Sequence, residues 1–293
     1  MILRSMLFVP GNNLRMIHKA ATLPADAIIL DLEDAVPIDE KETARIFIKD
    51  SISQLKKAGA TVFVRVNALS TDLTYEDLDF SIQEGIDGIM IPKCQSKTDI
   101  DEILRMIKEF EKKRGVEKVL LVPLIETPLG VINSFEIAAS SDRVIALAFG
   151  AVDFSREMGI SISSDQIELL YARSRIATSA RATGKLAIDT VWTDIMDMDG
   201  LIKEAERAKR LGFSGKLLIH PKQIDPVNKI FTPSEDEVNF ARRICKEFEE
   251  AMKIGRGAIS IDGKMVDLAD YKRAKQILEI FEEIKRKEER FGK

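Results

Sequence analysis

The chain has 293 residues, of which 45% are hydrophobic and 31% charged, and its formal net charge is −4. This composition is typical of a globular protein with a large core, and the lack of a strongly basic block argues against a nucleic-acid partner. Its two cysteines, Cys94 and Cys245, stand far apart, which argues against a disulfide framework and a zinc cluster. The first apolar stretch ends at Pro10 and is too short for a signal peptide, and no run reaches the roughly 20 residues of a membrane helix. We therefore expect a cytoplasmic protein with no membrane partner.

Eight short apolar runs recur along the first 219 residues. Most are near-continuous stretches of Val, Ile, Leu, Ala and Phe, as expected for parallel strands that are buried on both faces. The predicted strands are Ser5–Val9, Ala27–Leu32, Val62–Val66, Gly88–Ile91, Val119–Ile125, Val144–Phe149, Leu186–Ile188 and Lys216–Ile219.

Longer segments with apolar residues at helical spacing separate these strands. They are Asn12–Thr22, Glu40–Ala58, Tyr75–Glu84, Thr98–Lys113, Gly130–Ala138, Ser164–Thr183 and Met198–Leu211. Regular alternation of eight strands with helices predicts an α/β fold of the (β/α)8 TIM-barrel type. A doubly wound open sheet is the competing arrangement, but no strand is followed by a GxGxxG turn.

The pattern changes after the eighth strand. A periodic helix is predicted over Ser234–Ile254, followed by a hairpin turn at Asp262-Gly263 and a last helix over Tyr271–Arg290. We expect residues 1–232 to form the barrel with the active site. Residues 233–293 are predicted to form a helical extension or lid that caps the barrel or reaches a neighbouring subunit.

Polar residues follow the strands at the end where a barrel has its active site. Several carboxylates at one mouth repel each other unless a cation neutralises them, and oxygen ligands without cysteine suit Mg²⁺. Glu126 and Asp153, taken to lie on adjacent strands, are positioned to share one ion, and Arg65 is placed to bind a substrate carboxylate. The full set is Asp31, Glu33, Asp34, Arg65, Asn67, Lys93, Glu126, Asp153, Asp189, Thr190 and His220.

Each of these residues also has a structural interpretation. Acidic residues at strand ends often cap the next helix, which applies to Asp31 and Asp34. Arg65 also fits a structural partner of Asp31 or Glu33. Lys93 fits the Schiff-base lysine of a barrel aldolase, although a surface lysine is the commoner outcome. The residues alone leave these alternatives open.

Nine segments, in order and nearly end to end, resemble the citrate lyase β-subunit family and its relatives, the malyl-CoA lyases and other HpcH/HpaI-type lyases. Their joint occurrence is far more specific than any single motif. The segments are RSMLFVPG, LDLEDAV, VRVNAL, LIETPLG, FGAVDF, ELLYARSRI, DTVWTD, RLGFSGKLLIHPKQID and GKMVD.

The resemblance implies a (β/α)8 barrel in trimers or hexamers, with Mg²⁺ bound by Glu126 and Asp153. It implies that Arg65 binds the carboxylate of the oxo-acid product. It also implies that Asp267, in GKMVD, reaches the site of a neighbouring subunit and transfers a proton. Two positions depart from the family pattern: Val152 stands where a Glu is common, and the proline often found soon after the equivalent of Asp267 is absent.

The expected function is therefore a Mg²⁺-dependent carbon–carbon lyase. It would split citryl-CoA, or citryl bound to acyl carrier protein, into oxaloacetate and an acetyl thioester, with citrate lyase α and acyl carrier subunits as possible partners. The predicted catalytic residues are Arg65 and Asp267. Alternatives are a malyl-, methylmalyl- or citramalyl-CoA lyase, a malate synthase or thioesterase type of enzyme, and a non-catalytic docking subunit. Arg4 is expected to contact the phosphates of the thioester arm. The predicted substrate-binding residues are Arg4, Asp31, Glu33, Arg65 and Glu126.

Overall fold

The structure is a computed structural model that describes residues 1–289. Eight strands form one closed parallel barrel in sequence order, and β8 closes it by pairing with β1, where Leu217 lies opposite Met6. The predicted (β/α)8 barrel is confirmed, and the strands begin and end within one or two residues of the predicted bounds. The barrel strands are β1 (Ser5–Pro10), β2 (Ala27–Asp31), β3 (Val62–Arg65), β4 (Gly88–Ile91), β5 (Leu120–Ile125), β6 (Ala146–Phe149), β7 (Leu186–Asp189) and β8 (Gly215–Leu218).

Helices connect the strands, and local sequence sets where they begin and end. In the fourth helix, Ser96 and Asp99 form a capping box, and Gly115 ends the helix with a φ of 66°. The helices are α1 (Leu14–Ala20), α2 (Lys41–Lys57), α3 (Thr74–Ser81), α4 (Lys97–Arg114), α5 (Pro128–Ile132), α6 (Ser134–Ala139), α7 (Ala151–Met158), α8 (Leu170–Ala182), α9 (Met198–Leu211), α10 (Ile224–Phe231), α11 (Glu235–Lys253) and α12 (Leu268–Glu289), with short 3₁₀ turns at Ile38–Glu40, Ile167–Leu169 and Pro221–Gln223.

Three helical segments differ from the sequence prediction. The helix expected over Gly130–Ala138 is divided into α5 and α6 at Asn133, and α10 was not predicted. The helix α7 was also missed, because eight residues directly after a strand give little periodic signal. Asp153 therefore lies in the first turn of α7 and not at the end of a strand, which corrects the expectation that Glu126 and Asp153 follow adjacent strands.

Apolar side chains fill the barrel interior. Phe63 of β3 is fully buried there, and burial of such a side chain contributes about 2–3 kcal/mol. Gly88 on the neighbouring strand makes room for it, since a Cβ at Gly88 would lie 2.5 Å from Phe63 Cε1. The interior is therefore a packed core, and a substrate has space only at the mouth of the barrel.

Four charged residues are buried between β7, β8 and the helices outside them. Asp189, at the end of β7, accepts hydrogen bonds from Arg173 Nε at 2.9 Å and from Lys216 Nζ at 3.0 Å. Glu204 of α9 forms ion pairs with the same two cations. Two carboxylates thus neutralise two cations, and Asp189 is fixed in the barrel wall.

The described residues from Lys229 onward, with Met1–Ile2, form a second compact unit. Its helices α11 and α12 pack together, with the Phe248 and Tyr271 rings stacked at 5.0 Å. The predicted hairpin is present as β9 (Ile259–Ile261) and β10 (Lys264–Val266). Its turn residue Asp262 has a φ of 51°. The helix predicted up to Arg290 begins earlier, at Leu268, and Arg290 itself lies outside the described residues. Across residues 1–289, no helix has the length and apolarity needed to cross a membrane.

Candidate active site at the carboxyl ends of the strands

Arg65 and Asp31 form a fixed pair on neighbouring strands. They are directly opposite in the parallel register of β2 and β3. Arg65 donates from Nε to Asp31 Oδ1 at 2.7 Å and from Nη2 to Asp31 Oδ2 at 2.6 Å, and its guanidinium lies 4.6 Å from the centre of the Phe8 ring. Burial alone would lower the pKa of Arg65, but Asp31 leads the carboxylates that raise it. The guanidinium is therefore charged and held in one orientation.

Glu33 extends this pair toward Lys93. Its Oε2 lies 3.0 Å from Arg65 Nη1, and its Oε1 accepts a hydrogen bond from Lys93 Nζ at 3.0 Å. Burial raises the pKa of the Glu33 carboxyl despite the two nearby cations. The site thus contains a chain of alternating charges from Asp31 to Lys93.

Lys41 fixes the loop that carries Glu33, and the sequence analysis did not single it out. Its buried ammonium donates to the carbonyl oxygens of Leu32 at 2.5 Å and Glu33 at 2.7 Å, and to Asn67 Oδ1 at 2.9 Å. Burial lowers the pKa of Lys41. One signal was available, because Lys41 lies four residues before buried Arg45 on the apolar face of α2.

Glu126 directly follows β5 and is only 2% exposed. Its Oε1 accepts the backbone N–H of Lys93 at 2.7 Å, whereas no described residue donates a hydrogen bond to its Oε2. Burial, reinforced by the charge of Glu33, raises the pKa of Glu126 to about 8. A buried carboxylate is a candidate metal ligand when one of its oxygens accepts no hydrogen bond and the nearby cations do not neutralise its charge.

The structure brings Asp153 to the same site. Its charge also acts to raise the pKa of Glu126, so the two carboxylates repel each other. The side chain of Asp153 pairs with the exposed Arg156 one turn along α7. Within residues 1–289, no three His, Cys, Asp or Glu side chains form a metal-binding group. Two carboxylates still fit Mg²⁺, which takes one or two from the protein and completes its shell with water and substrate oxygens.

Two predicted substrate-binding residues have other roles. Arg4 precedes β1 and is buried against Asp26, with Nε 2.9 Å from Asp26 Oδ2. Both residues lie at the amino ends of their strands, away from the mouth, so the geometry contradicts the prediction that Arg4 binds substrate. Asp31 accepts hydrogen bonds from Arg65 and from the backbone N–H groups of Glu33 and Ala35. It therefore orients Arg65 and has no free oxygen for a substrate.

Asp267 belongs to the C-terminal unit. It is exposed and caps α12, because its Oδ1 accepts hydrogen bonds from the backbone N–H groups of Ala269 at 2.7 Å and Asp270 at 3.2 Å. Its predicted role in proton transfer remains a prediction.

Gly150 provides the space that Glu126 occupies. A Cβ at Gly150 would lie 2.5 Å from Glu126 Oε2 and 2.6 Å from Glu126 Cβ. We expect Gly150→Ala to displace the carboxylate and to lower the free energy of unfolding by about 1–3 kcal/mol, as overpacking does. Urea denaturation measures this change. Gly257→Ala is the control, since a Cβ there meets nothing within 4 Å. Equal stability of the two variants would contradict the prediction.

Comparison with known proteins identifies the family of the chain. The HpcH/HpaI aldolase/citrate lyase family model matches residues 4–221. The chain is 39% identical to citrate lyase subunit beta of Leuconostoc mesenteroides subsp. cremoris, over 94% of this chain and 92% of that protein. It is 32% identical to the mitochondrial citramalyl-CoA lyase of Rattus norvegicus, over 97% and 87% of the two chains.

A solved structure is similar over nearly the whole chain. It is the protein CitE of Mycobacterium tuberculosis in complex with magnesium, acetoacetate and coenzyme A, with 31% identity, a TM-score of 0.75 and coverage of 95% of this chain and 98% of that one. The family model alone spans more than two thirds of the present sequence and includes Arg65, Glu126 and Asp153. The chain belongs to the HpcH/HpaI aldolase/citrate lyase family.

Proposed function

We propose that this chain is a Mg²⁺-dependent carbon–carbon lyase that splits a citryl thioester into oxaloacetate and an acetyl thioester. The observation that carries the proposal is the buried Glu126 carboxylate, whose Oε2 accepts no hydrogen bond from the described residues, in one site with the fixed Arg65 guanidinium. Citrate lyase subunit beta is the relative with 39% identity, which favours the citryl substrate.

Arg65 binds a carboxylate of the oxo-acid half in this proposal. Asp31 occupies Nε and Nη2 of Arg65 and Glu33 lies 3.0 Å from Nη1, so the guanidinium is held in one orientation and one N–H on each of Nη1 and Nη2 is left for the substrate. Glu126 and Asp153 would hold Mg²⁺, which when bound stabilises negative charge developing on the substrate oxygens.

A base takes the proton of the substrate hydroxyl, and cleavage of the carbon–carbon bond then releases oxaloacetate and the acetyl thioester as its enolate. The enolate then needs a proton at carbon. We assign this transfer to Asp267 of a neighbouring copy, in a homo-oligomer such as a trimer or hexamer. Its exposed position at the start of α12 leaves the carboxylate accessible to such a neighbour.

A Schiff-base mechanism on Lys93 fits the site poorly. Burial alone would lower the pKa of the Lys93 ammonium, but the adjacent Glu33 carboxylate outweighs it and the pKa is raised. A Schiff-base nucleophile must be a neutral amine, and an ammonium paired with a carboxylate is not one.

A second candidate substrate is citramalyl-CoA, because a citramalyl-CoA lyase is 32% identical over 97% of this chain. Citryl and citramalyl thioesters both contain an oxo-acid half and an acyl thioester half. In the proposed binding mode, Arg65 and Glu126 contact only the parts of the substrate that the two thioesters share. A citrate lyase α subunit and an acyl carrier protein are the proposed partners for the citryl reaction.

The test is cleavage of citryl-CoA, citramalyl-CoA and malyl-CoA, each with Mg²⁺ and after EDTA treatment. We expect citryl-CoA to be cleaved fastest, with activity lost on chelation and restored by added Mg²⁺. Faster cleavage of citramalyl-CoA would establish the second candidate. Activity that survives EDTA would refute the metal-dependent reaction, and absence of both cleavage and Mg²⁺ binding would instead indicate a docking subunit.

A further inference from the structure

Lys93 has an unusual backbone conformation next to the metal-site carboxylate. Its φ of 49° lies in the left-handed region, which is unfavourable for a non-glycine residue. The conformation is held from both sides, because Lys93 N–H donates to Glu126 Oε1 at 2.7 Å and Cys94 N–H donates to the Leu124 carbonyl at 3.3 Å. A strained residue fixed in this way has a definite position relative to Glu126.

The side chain of the same residue fixes a second carboxylate. Lys93 Nζ lies 3.0 Å from Glu33 Oε1, and the other oxygen of Glu33 lies 3.0 Å from Arg65 Nη1. Glu33 and Glu126 are both buried, and each accepts a hydrogen bond from Lys93. Lys93 is therefore the link between them, with its backbone on Glu126 and its ammonium on Glu33.

We propose that Lys93 is a positioning residue that keeps Glu33 out of the cation site formed by Glu126 and Asp153. Mg²⁺ prefers six oxygen ligands, and each additional protein carboxylate removes a position that water or substrate would occupy. With its ammonium present, Glu33 stays paired with Lys93 and Arg65 and the cation keeps its open positions. The inference rests on the proposed function for the presence of Mg²⁺ at Glu126.

Removal of the Lys93 ammonium is therefore expected to increase the affinity for Mg²⁺. A substitution that merely disturbed the structure of the site would decrease this affinity. We expect Lys93→Met to bind Mg²⁺ about tenfold more tightly, because Glu33, then paired only with Arg65, becomes available as a third carboxylate. Titration calorimetry with MgCl₂ and no substrate measures this. Lys93→Arg keeps the charge and is expected to retain the wild-type Kd.

Two comparisons separate this role from a merely structural one. Lys97→Met, at an exposed lysine on α4, is the matched control and should leave the Mg²⁺ Kd unchanged. In a Glu33→Gln background, Lys93→Met should lose most of its effect, since the gain acts through the Glu33 charge. Circular dichroism checks folding, and Lys93→Gln gives the same comparison if Lys93→Met does not fold.

An unchanged or higher Kd for Mg²⁺ in folded Lys93→Met would overturn the proposal. A full gain in Mg²⁺ affinity from Lys93→Met in the Glu33→Gln background would also overturn it. The two proposals fail in different ways. A wild-type protein that binds Mg²⁺ but cleaves no thioester refutes the lyase function alone. If the wild-type protein cleaves citryl-CoA but Lys93→Met has the wild-type Kd for Mg²⁺, only the role of Lys93 is refuted. Absence of Mg²⁺ binding by the wild-type protein contradicts both.

Discussion

Glu126→Gln is expected to lower the rate of thioester cleavage by about 10³-fold and to abolish Mg²⁺ binding at the concentrations used in the assay. The amide oxygen can still accept the Lys93 N–H that bonds Glu126 Oε1, so the loop geometry is retained. What is lost is the negative charge that holds the cation in the proposed mechanism. Charge stabilisation by a bound metal amounts to several kcal/mol, and about 1.4 kcal/mol corresponds to a factor of ten in rate.

Steady-state cleavage of citryl-CoA and calorimetry with MgCl₂ measure the two effects. Glu136→Gln makes the same chemical change at an exposed position of α6 and serves as the control. We expect this control to keep wild-type activity. A Glu126→Gln protein with more than a tenth of wild-type activity would show that the carboxylate is not an essential metal ligand.

Asp189→Ala is expected to lower the free energy of unfolding by about 3–5 kcal/mol, the loss typical of removing one partner from a buried ion pair. Asp189 is fully buried and accepts hydrogen bonds from both Arg173 and Lys216. Its removal leaves two buried cations with Glu204 as their only remaining carboxylate partner within the described residues. Chemical denaturation, with intrinsic fluorescence as the signal, measures the loss.

The same network gives a dependence of stability on pH. Burial would raise the pKa of Asp189, but Lys216 and Arg173 outweigh burial and leave this pKa below its ordinary value. The stabilisation is therefore complete above the ordinary carboxyl pKa of about 3.9 and is lost as the pH falls through the lowered folded-state pKa. Asp142→Ala, which breaks an exposed pair with Lys118, is the control and should cause no measurable loss. Equal losses in the two variants would contradict the prediction.

The barrel could be predicted from the sequence because every strand is buried on both faces. Runs such as those of β2 and β5 contain almost only apolar residues, and no other local structure explains eight of them in alternation with helices. The break at Asn133 and the helix α7 were missed because both concern segments of fewer than ten residues. Segments of this length carry too few helical turns for a periodic signal.

Within the site, the sequence predicted residue types better than contacts. The contact between Arg65 and Asp31 was one of the alternatives that the sequence left open, and the barrel register decides it by placing the two residues opposite each other. Arg4 was misplaced although the predicted strand Ser5–Val9 already puts it before β1, at the amino ends of the strands and away from the mouth. The left-handed backbone of Lys93 could not be predicted, since lysine has no preference for that conformation.

The closure of the barrel also bears on how the protein is made. The pairing of Met6 with Leu217 joins residues about 210 positions apart, so β1 has one open edge until β8 has been synthesised. A ribosome-bound chain that ends before β8 therefore exposes a strand edge to other nascent chains. The same strand brings Lys216 to Asp189 of β7, so the addition of β8 both closes the β1 edge and neutralises a buried charge. Cooperative folding is thus expected to be completed only after β8 has left the ribosome.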